Sequence, residues 1–303
     1  MNIVITIIPI FTIILIGWFA RNKSFMPPEF LGPANRLVYY LAIPAMIFRS
    51  VSKGSLTTRF NFEVIFLCLC SVLAVFALSW GAGVIAGIRH DSRGTLIQSS
   101  FHGNLGYIGL AVTFYYLGNE GLGRASIIAG FIMILQNLLA VFVLQFHADD
   151  PGSGKSRLVL KVLGNPIIIS AVAGILFSLS GLPMPAVIGR SLDILSGMSL
   201  PMALLLIGAS LSFKASWVGI GTVLLSSFMK LMILPCIGFV LYLIAGSAPQ
   251  DYVPGLILLA SPTATVTFIM AKEMGGDADF AVTAISISTI LSSLTFCLWL
   301  NIA

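Results

Sequence analysis

Of the 303 residues, 58% are hydrophobic and 9% are charged, against about 25% charged in a soluble domain. Such a chain cannot present a water-facing surface, and the scattered Lys and Arg behind its net charge of +5 form no basic face of the kind nucleic acid needs. Soluble enzymes and nucleic-acid binders are thereby excluded, and an all-α integral membrane protein in a lipid bilayer is predicted.

A helix crosses the hydrocarbon core with roughly 20 apolar residues. The apolar stretches predict ten transmembrane helices, at 3–20, 31–49, 63–88, 95–118, 122–146, 162–181, 187–211, 216–245, 252–272 and 278–301. The first is a true span, because Arg21 and Lys23 follow its apolar run instead of preceding it as in a signal peptide. Cys68, Cys70, Cys236 and Cys297 all fall inside spans without metal-ligand spacing. They read as small buried thiols, and neither metal nor cofactor is expected.

The polar stretch 147–161 contains Asp149, Asp150, Pro151, Gly152, Ser153, Gly154 and Lys155, a linker composition. It separates a first five-helix repeat, 1–146, from a second, 162–303. Shifted by 157 residues, Pro9, Pro28 and Pro44 meet Pro166, Pro185 and Pro201. Under the same shift Gly17, Gly32, Gly81 and Gly118 meet Gly174, Gly189, Gly238 and Gly275. The matched residues are those with backbone meaning. Five spans is an odd number, so the second repeat enters the membrane from the opposite side, as a 5+5 inverted repeat.

Loops after odd-numbered helices carry Arg21, Lys23, Arg36, Arg89, Arg93, Lys155, Arg157, Lys161, Lys214 and Lys272. Loops after even-numbered helices carry Arg49, Lys53, Arg59, Arg124 and Arg190. The positive-inside bias then places 147–161 in the cytoplasm and both termini outside.

Two helices at matching places look broken at membrane depth. The fourth reads Ser100-Phe101-His102-Gly103-Asn104-Leu105-Gly106-Tyr107-Ile108-Gly109, and the ninth reads Ala260-Ser261-Pro262-Thr263-Ala264-Thr265-Val266-Thr267. Such paired interruptions point to a transporter site, and freed N–H groups at a helix start suit an anion. Close packing by small residues is the plainer reading of either segment alone. Asn104, Tyr107, Ser261, Pro262, Thr263 and Thr265 are therefore the candidate substrate-binding residues.

Lys230 lies mid-span in the eighth helix, where a charge costs about 2.5–3.5 kcal/mol on insertion scales. It either balances an anion or snorkels to an interface. Gln136 and Asn137 are adjacent amides in the fifth helix, so at most one of them faces a site. His102 is a candidate for proton coupling, with a packed hydrogen-bonder as the alternative. Pro44 and Pro201 are expected to kink the second and seventh helices and to shape a scaffold around the site.

Taken in order, Gly103 to Gly109, Gln136-Asn137, Lys230 to Pro235 and Ser261-Pro262 resemble the auxin efflux carrier family in its bacterial branch, over essentially the whole chain. The resemblance implies a fold shared with bile acid:sodium symporters, with helices 4 and 9 crossing at their breaks. Helices 3–5 and 8–10 would form a mobile transport domain. Helices 1, 2, 6 and 7 would form the scaffold and a homodimer surface in the bacterial inner membrane. It also implies elevator-type transport of a small organic anion, auxin-like or malonate-like, coupled to H+ or Na+. The sequence departs from the plant carriers in three ways. Gly106 stands where they have a crossover proline, residues 64–88 contain no acid, and the long cytoplasmic loop is absent.

Three other readings compete. Sodium-coupled organic anion symport would use the Ser and Thr oxygens of helix nine. A non-transporting receptor would leave the paired breaks without purpose. An intramembrane enzyme would need an acid pair, a nucleophile with its base, or a metal cluster, and none is in view.

Overall fold

The structure is a computed structural model, described here for residues 3–53, 60–148, 165–212 and 219–303. Among these residues every regular element is a helix. Helix α1 spans Ile3–Asn22. Helix α2 (Pro28–Leu37) runs through a π-helical turn, Val38–Ala42, into α3 (Ile43–Ser52). Next come α4 (Phe62–Ile85) and α5 (His90–Phe101). A second π-helical turn, Leu105–Gly109, leads into α6 (Leu110–His147). Then follow α7 (Pro166–Leu179), α8 (Ala186–Gly197) and α9 (Ser199–Ser210). Helix α10 (Ile220–Phe228) joins α11 (Leu234–Ala245) through a third π-helical turn, Met229–Ile233. The last three are α12 (Pro249–Ala260), α13 (Val266–Glu273) and α14 (Ala278–Ile302).

Local chemistry sets these limits. Asn61, Asn165 and Asp277 each cap a helix start by accepting from Val64, Ile167 and Phe280 N–H at 3.2, 2.9 and 2.9 Å. Such caps contribute about 1 kcal/mol apiece. Gly118 divides α6 with φ 68° and ψ −160°, a conformation essentially confined to glycine.

Six helical stretches among the described residues are long and apolar enough to cross a membrane: Ile3–Asn22, Phe62–Ile85, Leu105–His147, Ala186–Ser210, Ile220–Ala245 and Ala278–Ile302. Large apolar side chains such as Ile5, Phe62, Ile85, Leu176, Val187 and Leu294 point outward, while Gln98, Gln136, Lys230 and many hydroxyls are buried. Polar inside and apolar outside is the arrangement expected in lipid.

The tightest crossing joins α1 to α9. A Cβ on Gly17 would lie 2.1 Å from the Leu205 carbonyl oxygen, and one on Gly208 would lie 1.8 Å from that of Ile14. Only glycine lets the two backbones approach so closely. Gly174 plays a milder version of this part between α7 and α3, where an added Cβ would lie 3.0 Å from Val51.

Several expectations need adjustment or fall elsewhere. Arg21, Arg36, Arg49, Arg93, Arg124, Arg190 and Lys272 lie inside α1, α2, α3, α5, α6, α8 and α13, not in loops as the charge comparison assumed. Helices α2 and α3 are continuous through the π-turn, with Pro44 just inside α3. Pro201 sits in the first turn of α9, just after α8 ends at Gly197. Most of the linker, together with Arg59 and Lys214 and the expected span starts at 162 and 216, lies outside the described residues.

Candidate functional site

Two helices stop at mid-molecule and restart. Helix α5 ends at Phe101 and the chain turns helical again at Leu105. Helix α12 ends at Ala260 and α13 begins at Val266. The gaps meet as a short antiparallel bridge, Gly103 opposite Thr263. Asn104 N–H donates to the Pro262 carbonyl at 2.7 Å, and Ala264 N–H donates to the His102 carbonyl at 2.9 Å.

A backbone group left unpaired in lipid costs several kcal/mol, and each half of the crossing is served by side chains. Gln136 of α6 reaches the first gap with both ends of its amide. Its Nε2 donates to the Phe101 carbonyl at 2.8 Å, and its Oε1 accepts from Gly103 N–H at 3.3 Å. Asn104 Oδ1 caps the restarting helix by accepting from Tyr107 N–H at 3.3 Å. In the second gap, Ser288 Oγ of α14 accepts from Thr263 N–H at 3.1 Å. Thr263 Oγ1 donates to the Ser99 carbonyl at 3.0 Å, and Ser261 Oγ donates to the Leu258 carbonyl at 2.6 Å.

Lys230 is fully buried, and its Nζ donates to the Leu259 carbonyl at 2.7 Å, in the last turn of α12. A helix C-terminus carries partial negative charge, so a cation there is favoured. The π-turn that holds Lys230 has its own support, since Trp299 Nε1 donates to the Leu231 carbonyl at 2.8 Å. The gap leaves almost no slack. A Cβ on Gly103 would lie 2.7 Å from Ser261 Oγ and 3.2 Å from Lys230 Cε.

Two polar atoms remain buried and unpartnered at the crossing, Asn104 Nδ2 and His102 Nδ1. A buried polar atom without a partner costs about 1–3 kcal/mol, so its presence needs a reason.

The structure thus brings His102, Asn104, Gln136, Lys230, Ser261, Pro262 and Thr263 together. Tyr107 starts the same helix, but its hydroxyl turns to Asn35 Oδ1 of α2, at 3.2 Å. Asn137 donates to the Met133 carbonyl of its own helix at 2.8 Å, so of the two amides only Gln136 joins the crossing. Thr265 stands at the start of α13, half-buried. Pro44 and Pro201 lie in other helices. Sequence reasoning overlooked Ser288, Trp299 and Asn35. A signal existed for the first, because Ser286, Ser288, Thr289 and Ser292 recur inside an otherwise apolar span and are all buried.

Residues 2–300 match the sequence profile of the family described as Membrane transport protein. An uncharacterized transporter of Methanocaldococcus jannaschii is 27% identical over 297 residues, 95% of this chain and 94% of that one. The "Putative malonate transporter" of Rhizobium meliloti is 26% identical over 303 residues, 95% of this chain and 92% of that one. The "Probable auxin efflux carrier component 1b" of Oryza sativa subsp. japonica is 28% identical over 156 residues, 48% of this chain and 28% of that one.

Proposed function

The chain belongs to the membrane transport protein family, that of the auxin efflux carriers, and from that premise we propose that it carries a small organic anion, a malonate- or auxin-like carboxylate, by elevator-type alternating access. It is a multi-pass membrane transporter and not an enzyme, with a small-molecule cargo. The observation that carries the finer reading is the meeting of the two helix breaks at Gly103 and Thr263.

Helix starts beside the breaks offer N–H groups and a positive dipole end to a carboxylate. Asn104 Nδ2, buried without a partner, is a further donor, and Lys230 supplies a full positive charge at short range. Ser261, Pro262, Thr263 and Thr265 form the second half of the site, Tyr107 the first, and Gln136 ties the first break together. Asn137 is the weakest member of the set. His102 is the proposed proton-coupling residue; Na+ symport is the competing form.

The proposed architecture is ten spans in two inverted five-helix repeats, 1–146 and 162–303. Left-handed residues that end helices recur in support of this, at Ser24 and Gly181, Gly87 and Gly246, and Gly118 and Gly275. Helices α1–α3 and α7–α9 would form the scaffold, held by the glycine contacts at Gly17, Gly208 and Gly174. The remaining helices would form the moving part. The outward apolar side chains of α8, Val187, Ile188 and Ile194, suit a homodimer surface on that scaffold. In this scheme the protein sits in the cell membrane, with both termini outside and residues 147–161 in the cytoplasm.

The test is flux of radiolabelled malonate and indole-3-acetate in proteoliposomes, with protein-free liposomes beside them. Saturable flux of either carboxylate is expected. Flux that requires a Na+ gradient would favour the symporter form, and absence of flux for both would remove the carboxylate reading.

A further inference from the structure

A second polar site lies away from the crossing. A cavity of about 310 Å³ opens between α3, the first part of α6, and α8–α9, at the low end of small-molecule pockets, which run roughly 300–1,000 Å³. Its charged rim is formed by Arg49, Lys53, Asp193 and Glu120, and its walls include Phe114 and Tyr115. In the proposed scheme α3, α8 and α9 are scaffold and α6 is transport domain, so the cavity sits on the seam along which the two would slide.

The rim holds a carboxylate in a built cradle. Arg49 Nε and Nη2 grip the two Asp193 oxygens at 2.9 and 3.0 Å, the forked geometry that favours carboxylates. Lys53 Nζ adds a contact to Asp193 Oδ1 at 3.2 Å. Gly189 leaves room for the guanidinium, since a Cβ there would lie 3.3 Å from Arg49 Nη2. Two cations therefore converge on one resident acid. The Arg49 side chain is 18% exposed and those of Lys53 and Asp193 are 49% and 45% exposed. The pair is partly open to solvent at Lys53 and Asp193, so an incoming carboxylate can reach and compete for the same two cations.

We propose that Arg49 and Lys53 form a recruiting subsite for the carboxylate of the cargo, with Asp193 as the resident occupant that the cargo displaces on its way to the crossing. The inference rests on the carboxylate reading above. It gives the aromatic wall a part as well, since Phe114 and Tyr115 can cover the apolar portion of an organic anion while its charge is held.

The experiment measures equilibrium binding of radiolabelled malonate and indole-3-acetate to the purified full chain, as wild type, Lys53→Gln, Asp193→Asn and Asn104→Ala. Removing the resident acid should tighten Kd and removing the lysine should weaken it, each by about two- to fivefold, the range of a partly exposed charge. A mere structural clasp would move both variants the same way. Equal Kd values in wild type, Lys53→Gln and Asp193→Asn, or shifts of one sign, overturn the subsite, and if Asn104→Ala still loses binding the crossing survives. Opposite shifts with Asn104→Ala unchanged would keep the subsite and remove the crossing. Absence of binding in all four proteins overturns both.

Discussion

Lys230 Nζ sits 2.7 Å from the Leu259 carbonyl oxygen, so the side chain closes the helix that ends at one of the two breaks. Lys230→Met separates stability from transport. It leaves an acceptor unpaired, at about 1–3 kcal/mol, and it also relieves a buried charge that costs about 2.5–3.5 kcal/mol. The two effects oppose each other. The expected result is a melting temperature in detergent close to wild type, with malonate flux reduced at least tenfold. A large fall in melting temperature would mark Lys230 as chiefly structural.

Gln136 and Asn137 should behave as opposites. Gln136→Leu strands both the Phe101 carbonyl and the Gly103 N–H, at about 1–3 kcal/mol each, and should lower thermal stability clearly. Asn137→Ala gives up only a bond to its own helix and should stay within about 0.5 kcal/mol, as substitutions away from such features do. Thermal unfolding of both variants in one detergent checks this, and equal losses would contradict the geometry.

The α1–α9 crossing predicts severe intolerance at Gly208. An added Cβ would lie 1.8 Å from the Ile14 carbonyl oxygen, so Gly208→Ala must push two backbones apart. Gly221, where a Cβ would have nothing within 4 Å, is the control. Expression and monodispersity should collapse for Gly208→Ala and hold for Gly221→Ala.

Trp299→Phe keeps the aromatic volume and deletes the indole donor to the Leu231 carbonyl. The π-turn around Lys230 then loses an outside partner, at about 1–3 kcal/mol. A modest fall in stability with a larger fall in flux is expected, because the turn positions Lys230. Unchanged flux would show that the π-turn needs no such support.

Much of this was legible before any coordinates. Glycine inside an apolar helix also serves close packing, as Gly17, Gly174 and Gly208 do, so the legible signal was the pair of interruptions at matching places, Gly103-Asn104 and Ser261-Pro262. Which residues of the two breaks would touch was less legible. The 157-residue shift pairs Asn104 with Ser261, whereas the bridge pairs Gly103 with Thr263. That shift rested on three Pro–Pro and four Gly–Gly coincidences along the chain, and chain lengths between those points and the breaks need not match. The three π-turns left no trace in the apolar pattern, because one extra residue per turn changes which carbonyl is freed without changing composition. Ser288 and Trp299 stayed hidden because a serine or an indole in an apolar span is ordinary until its partner is seen. The Arg49–Asp193 pair joins residues 144 positions apart, and no local pattern connects them.

The central claim is that cargo binds where the two broken helices cross. Initial rates of radiolabelled malonate uptake, normalised to reconstituted protein, test it most directly when wild type is set against Asn104→Ala. At least a tenfold loss is predicted, beyond what the modest fall in melting temperature from losing the Asn104 cap on Tyr107 N–H, about 1 kcal/mol, would explain. Equal rates in the two proteins would contradict it.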